Sequence, residues 1–209
     1  MYKTEALFHP EPLPFDTYIP ENADKLILGT FPTKESLRKY KFFYPNPSNK
    51  FWRILAGLYG KKLEFIKGDE AVEERKKILE ELNLAISDMG NTIYRQNESS
   101  LDANIFPVKF TNVFQIIDDN PQIKTIIITS SSKGTSVLSW FLAYCQLNNV
   151  NVDIPSKPLV PWETAIQFGD KNVKVIIIYS TSGAAYIEET KLIAMYRQAI
   201  LFNKMTEEN

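Results

Sequence analysis

Continuous Ile/Leu/Val runs, rather than alternating ones, mark residues 25–31, 124–129 and 173–179 as strands buried on both faces. A shorter run at 108–110 is a candidate fourth strand. Between them the period lengthens. Phe51, Ile54, Leu55 and Leu58 fall at i, i+3, i+4 and i+7. Residues 71–82 are highly charged, with Val72, Ile78, Leu79 and Leu82 to one side. Val137, Leu138, Phe141, Leu142 and Cys145 form another stripe, and Leu192, Ile193, Tyr196, Ala199 and Ile200 a last one. Strands that alternate with amphipathic helices predict an α/β fold in which a parallel sheet is covered on both faces. The proline-rich start, within residues 1–22, predicts an extended arm laid over the surface. Residues 148–163, with Pro155, Pro158 and Pro161, read as a long ordered loop before the last strand.

Composition narrows the classes. A chain of 209 residues favours a single domain spanning 1–209, and 44% hydrophobic with 23% charged residues is ordinary for a globular protein. One cysteine, Cys145, and one histidine, His9, are too few for a disulfide framework, an iron–sulfur cluster or a histidine-rich metal site, so no metal and no cofactor are expected. Apolar runs fall short of a membrane span and the start does not resemble a secretion signal, so a cytoplasmic location and no membrane partner are expected. The net charge of −1 lacks the usual footprint of a nucleic-acid binder. Lys34, Arg38, Lys39, Lys41, Lys50 and Arg53 could still form a local basic patch, or simply a solvated face.

In open α/β sheets ligands bind beyond the carboxyl ends of the strands. Gly29-Thr30-Phe31-Pro32-Thr33 follows the first strand, and Phe43-Tyr44-Pro45-Asn46-Pro47-Ser48-Asn49-Lys50-Phe51-Trp52 runs from it into a helix. Amides and flat rings massed there suit the grip of a planar heterocycle better than a core. Tyr179-Ser180-Thr181-Ser182-Gly183-Ala184 follows the last strand and can offer hydroxyls and backbone N–H groups to a phosphate. The turn at 130–135 lacks Walker spacing and reads chiefly as a helix cap.

Together these segments resemble the uracil-DNA glycosylase superfamily, nearest to its hypoxanthine-DNA glycosylase branch and related to the mismatch-specific uracil/thymine glycosylases. The Gly29–Thr33 turn, Ser36-Leu37 and the run into Phe51-Trp52 agree with that branch in spacing. So do Ile86-Ser87-Asp88-Met89, Arg95, and Ser100-Leu101-Asp102-Ala103-Asn104-Ile105. The resemblance implies a three-layer α/β/α domain with a four-stranded parallel sheet. It also implies cofactor-free hydrolysis of the N-glycosidic bond of a deaminated base flipped out of DNA. It assigns Asn49 to catalysis, with Phe31, Tyr44, Asn46 and Thr30 around the base. Ser36, Ser180, Ser182 and Gly183 would hold the DNA backbone, and the protein is expected to act as a monomer.

Plainer readings stand beside these. Asn49 can cap the helix that begins at Lys50 or Phe51, and Tyr44 can pack on Phe51 or Trp52. Asp88 and Arg95 are expected to form a structural ion pair, and Asp102 to be a cap or turn residue. The residues 182–186 are the place to look for a wedge into the DNA stack. Thr30 cannot act as a base at neutral pH, and Asn46 replaces a common histidine. The alternative to a glycosylase is therefore a weak or inactive nucleic-acid or nucleotide-binding protein of the same fold, or a hydrolase of free nucleosides.

Overall fold

A computed structural model describes residues 10–99, 101–132, 134–155, 158–182 and 187–201. Its strands are β1 (Pro10–Pro12), β2 (Lys25–Gly29), β3 (Leu84–Asp88), β4 (Gly90–Arg95), β5 (Ile105–Phe110), β6 (Thr125–Ile128), β7 (Trp162–Phe168) and β8 (Lys171–Ile177). Its helices are α1 (Phe51–Leu58), α2 (Gly68–Glu81), α3 (Val113–Asp119), α4 (Val137–Leu147) and α5 (Glu189–Leu201).

The main sheet has the order β3-β2-β6-β8-β7. The first four strands are mutually parallel, and β7 adds an antiparallel edge against β8. The expected four-stranded parallel sheet is thus corrected to a five-stranded mixed one. Successive residues of its inner strands point to opposite layers. Leu26, Leu28, Ile126, Ile128, Val175 and Ile177 join the core under α3 and α4. Ile27, Ile127, Ile176 and Ile86 join the core under α1, α2 and α5. Both faces are therefore dry, and each such buried aliphatic side chain contributes about 1.5–3 kcal/mol.

Two further expectations are corrected. The fourth parallel strand is β3, not the run at 108–110, which lies in β5 of a separate antiparallel sheet of order β1-β4-β5. All five residues of β3 are buried, whereas Val108 is half exposed. The loop before the last strand ends sooner than expected, because β7 starts at Trp162. Its alternating Trp-Glu-Thr-Ala-Ile-Gln-Phe pattern is that of an edge strand with one wet face. Helix α3 carried no expectation, and Asn112 caps it by accepting from the Gln115 N–H at 3.3 Å. The arm's Pro10–Pro12 is extended, as expected, and pairs with β4.

Candidate active site

The carboxyl ends of β2, β3, β6 and β8 converge on one cavity of about 420 Å³, within the ~300–1,000 Å³ range of ligand pockets. Strand β2 lies between β3 on one side and β6 on the other, so the crossovers leave it in opposite directions and open a crevice at its end. Gly29-Thr30-Phe31 enters from β2, Asp88 from β3, Thr129-Ser130 from β6, and Ser180 and Ser182 from beyond β8. The loop before α1 brings Tyr44, Asn46 and Asn49, and the turn at Asp102–Asn104 brings Asp102.

Asn49 is held on both sides of its carbonyl oxygen. Oδ1 accepts from the Phe51 N–H at 3.0 Å and from the Thr181 hydroxyl at 2.6 Å. The Lys50 N–H also donates to the Thr181 carbonyl at 3.1 Å, so the two distant loops are joined by side chain and main chain. The plainer reading is met in part: Asn49 lies one residue before the N-cap, Lys50, and its side chain takes the first N–H of α1. A carbonyl oxygen has two lone pairs, and both are committed, which leaves Nδ2 as the polar atom free for a ligand. Because the Phe51 N–H can only donate, the assignment of Oδ1 and Nδ2 follows from the contact itself.

Tyr44 adopts φ of +48°, a left-handed conformation costly for an aromatic residue. That backbone lays its ring flat on Phe51, with centroids 3.9 Å apart and planes 15° apart. The ring also lines the cavity. Its hydroxyl meets Thr129 Oγ1 at 3.0 Å. Since Thr129 spends its proton on the Leu28 carbonyl at 2.8 Å, Tyr44 is the donor. Burial pushes its pKa well above the ordinary phenol value, so it stays neutral.

Asp88 overturns an expectation. Arg95 does not pair with it. The guanidinium donates instead to Glu11 Oε2 at 2.6 Å, the Ser99 carbonyl at 2.7 Å and the Pro32 carbonyl at 2.8 Å. Asp88 is 5% exposed, lines the cavity, and its carboxylate accepts no hydrogen bond from the described residues. It leans into the space left by Gly29, its register partner on β2: a Cβ there would lie 2.0 Å from Asp88 Oδ1 and 3.1 Å from Tyr44 Oη. Burial first, and then the charge of Asp102, push its carboxyl up to about 7, against the pull of Arg38. Asp102 begins a short turn, as expected, but also lines the cavity, where Thr30 donates to its Oδ2 at 3.2 Å. Desolvation raises its pKa, while Thr30 and Arg95 act to lower it. The motif position held by Thr30 carries no carboxylate, and two other parts of the chain deliver carboxylates beside it.

Phe31, Thr30, Asn46, Ser180 and Ser182 all line this cavity. Asn46 Oδ1 accepts from the Ser48 N–H at 3.0 Å and hydroxyl at 2.9 Å, so its carbonyl oxygen folds the loop. Ser130 lines the cavity, whereas the cap of α4 falls to Ser136, in a capping box with Ser139. Ser36 is not brought here: it lies exposed on the turn Glu35–Leu37, in a separate depression beside Glu11 and Arg95. Gly183 and the rest of the expected wedge region, 183–186, lie outside the described residues. Leu101, 63% exposed, stands at the cavity mouth. Sequence reasoning undervalued Asp88 and Asp102. Their signal was the polar end of an apolar strand and a polar turn, but which residues each would face is a tertiary matter. Among the described residues no helix is long and apolar enough to cross a membrane, and no group of three or more His, Cys, Asp or Glu could hold a metal ion.

No protein-family model matches the chain. A hypoxanthine DNA glycosylase from Methanosarcina acetivorans is 29% identical over 120 residues, covering 57% of this chain and 72% of the relative. One from Methanosarcina barkeri is 30% identical over 121 residues, with the same shares. A solution NMR structure of a candidate uracil DNA glycosylase from Methanosarcina acetivorans aligns with a TM-score of 0.57 at 22% identity, covering 88% of this chain and 96% of that one, which supports the fold alone. With 30% identity across 72% of a curated relative's length, the chain belongs to the hypoxanthine DNA glycosylases.

Proposed function

We propose that the protein hydrolyses the N-glycosidic bond of a deaminated base, hypoxanthine in the first place and uracil in the second, flipped out of DNA into the cavity at the ends of β2, β3, β6 and β8. The observation that carries this reading is the convergence of an amide NH2, an aromatic ring and two carboxylates on one cavity. A deaminated base presents a new carbonyl oxygen, which an amide NH2 can satisfy and an amino-bearing base cannot.

The bond between C1′ and the base nitrogen breaks with oxocarbenium character at the sugar, and the electron pair leaves with the base. Water adds to C1′ and loses a proton. Tyr44 stacks on the base, worth about 1–3 kcal/mol. Asn49 Nδ2 donates to a base oxygen as negative charge builds there, in the manner of an oxyanion donor. Burial raises the pKa of both carboxylates, Asp88 to about 7, while Thr30 and Arg95 oppose the rise at Asp102, and the pair divides the acid and base roles. Asp88, thus about half protonated at neutral pH, donates in its protonated form to the departing base. Asp102, held by Thr30, takes the ionised role and orients the water. Ser180 and Ser182 line the rim where the DNA backbone would pass, and the protein acts as a monomer without a cofactor.

The test is incubation with duplexes bearing a single hypoxanthine, uracil, xanthine or G·T mismatch, read as alkali-labile sites. Strand scission at hypoxanthine above the undamaged control is expected; its absence at every lesion would overturn the reading. Asn49→Asp separates the two jobs of the residue. Aspartate keeps the acceptor for the Phe51 N–H but lacks the NH2. Stability within about 0.5 kcal/mol of the parent, with activity reduced roughly a hundredfold or more, is expected. Equal activity in parent and variant would remove Asn49 from the chemistry.

A further inference from the structure

A second cavity, of about 600 Å³, lies against the first. Asn46, Ser48 and Asn49 line both, so one short wall of chain separates them. Its floor is apolar, with Tyr40, Trp52, Leu63 and Ile193. The two aromatic residues turn their polar atoms inward: Trp52 Nε1 donates to the Phe43 carbonyl at 2.9 Å and the Tyr40 hydroxyl to the Tyr44 carbonyl at 2.7 Å. Tyr40 and Trp52 are both buried, at 7% and 3% exposed, so the apolar surface open to the cavity is mainly that of Leu63, Ile66 and Ile193.

The rim has the opposite character. Lys50, Arg53, Lys61, Lys62 and Arg75 line this cavity with a single carboxylate, Glu189, in a chain whose net charge is −1. Arg53 and Lys50 both reach Glu189, at 2.5 Å and 3.8 Å. Lys61 and Lys62 are exposed and form no ion pair among the described residues. Arg75 is 3% exposed. Its guanidinium pairs with Glu74 and sits 5.0 Å over the Tyr40 ring, yet its Nε finds no partner. Two unpaired lysines beside an apolar floor match a ligand that is anionic at one end and apolar at the other.

Gly57 keeps the space clear. It sits within α1, where glycine costs about 1 kcal/mol relative to alanine, it lines the cavity, and a Cβ there would meet nothing within 4 Å.

We propose that this cavity is a subsite for the nucleotide next to the extruded one on the same DNA strand, its phosphate at Lys61 and Lys62 and its sugar and base against Leu63, Ile66 and Ile193. The assignment rests on the glycosylase reading of the first cavity. A strand that places one nucleotide there and crosses the wall of Asn46, Ser48 and Asn49 brings its next residue to this adjoining hollow, which is both cationic and apolar.

Equilibrium binding of fluorescein-labelled hypoxanthine-containing oligonucleotides, measured across a salt series, tests this with two variants. The double variant Lys61→Gln, Lys62→Gln should weaken binding by about tenfold or more at physiological salt and flatten the log–log salt slope by about 0.7–0.9, the contribution of the one phosphate they hold. Gly57→Phe should weaken binding by a similar factor by filling the hollow, while its thermal midpoint stays at or above that of the parent. Oligonucleotides ending at the hypoxanthine on the 5′ side, or on the 3′ side, give the decisive comparison. On one of the two, where the subsite has no nucleotide to hold, parent and variants should bind alike. A parent that binds and cleaves damaged DNA alongside variants of unchanged affinity and slope overturns the subsite and leaves the glycosylase reading standing. Variant defects that persist on both shortened substrates also overturn it. A parent that neither binds nor cleaves damaged DNA removes both.

Discussion

Asp88→Asn isolates a buried acid with no hydrogen-bonding partner among the described residues. In the folded protein its carboxyl titrates at about 7, against an ordinary value of 3.8. The sign follows from proton binding. Between those values the folded state holds a proton that the unfolded chain has released, so stability falls as pH rises through the window and levels off above about 7. The displacement is roughly three pH units, and at ~1.36 kcal/mol each it amounts to up to about 4 kcal/mol. Its causes are desolvation and the charge of Asp102, with Arg38 opposing. Asparagine has nearly the same shape and no ionisation, so the variant should lack this loss. Urea titrations of parent and variant at a series of pH values should therefore coincide near pH 4. They should then diverge, the variant being more stable by up to about 4 kcal/mol at pH 8. If Asp88 donates to the departing base, parent activity should also decline through an apparent pKa near 7. That value belongs to the coupled pair with Asp102. The variant, which retains a donor in its NH2, should show a flatter alkaline limb. Stability curves that run parallel from pH 4 to pH 8 would refute the argument, since they would mean that Asp88 is solvated or paired.

Other perturbations test the surrounding frame. Gly29→Ala places a methyl 2.0 Å from Asp88 Oδ1 and should destabilise by about 1–3 kcal/mol, with loss of activity, in denaturant titration and cleavage assays. Wild-type stability in that variant would mean the carboxyl moves freely. Arg95→Met removes three hydrogen bonds to Glu11, Ser99 and Pro32 from a side chain 8% exposed, and should cost about 2–4 kcal/mol by chemical denaturation. Cys145 is buried, and desolvation pushes its thiol up to about 12, so maleimide should label it only after unfolding, by mass spectrometry.

Much was legible in the chain alone because it is written in local period. The Ile/Leu/Val runs of β2, β6 and β8 announced strands buried on both faces, and the stripes of α1, α2, α4 and α5 announced the layers that cover them. The loop from Gly29 to Trp52 announced a site through its chemistry, and it does carry Thr30, Phe31, Tyr44, Asn46 and Asn49 to one cavity. The strands β3 and β7 were harder. Five buried residues carry too short a pattern to separate from a helix end, and prolines just before Trp162 masked a clear alternation. Only the tertiary structure decided what each polar side chain faces. A carboxylate at the end of β3 looks the same in sequence whether it meets Arg95 or an open cavity. The answer lies in Glu11, 84 residues from Arg95, capturing the guanidinium, and in Gly29 leaving room for Asp88. Period is set by the backbone geometry of one segment, whereas partnership is set by long-range competition among segments for the same charge.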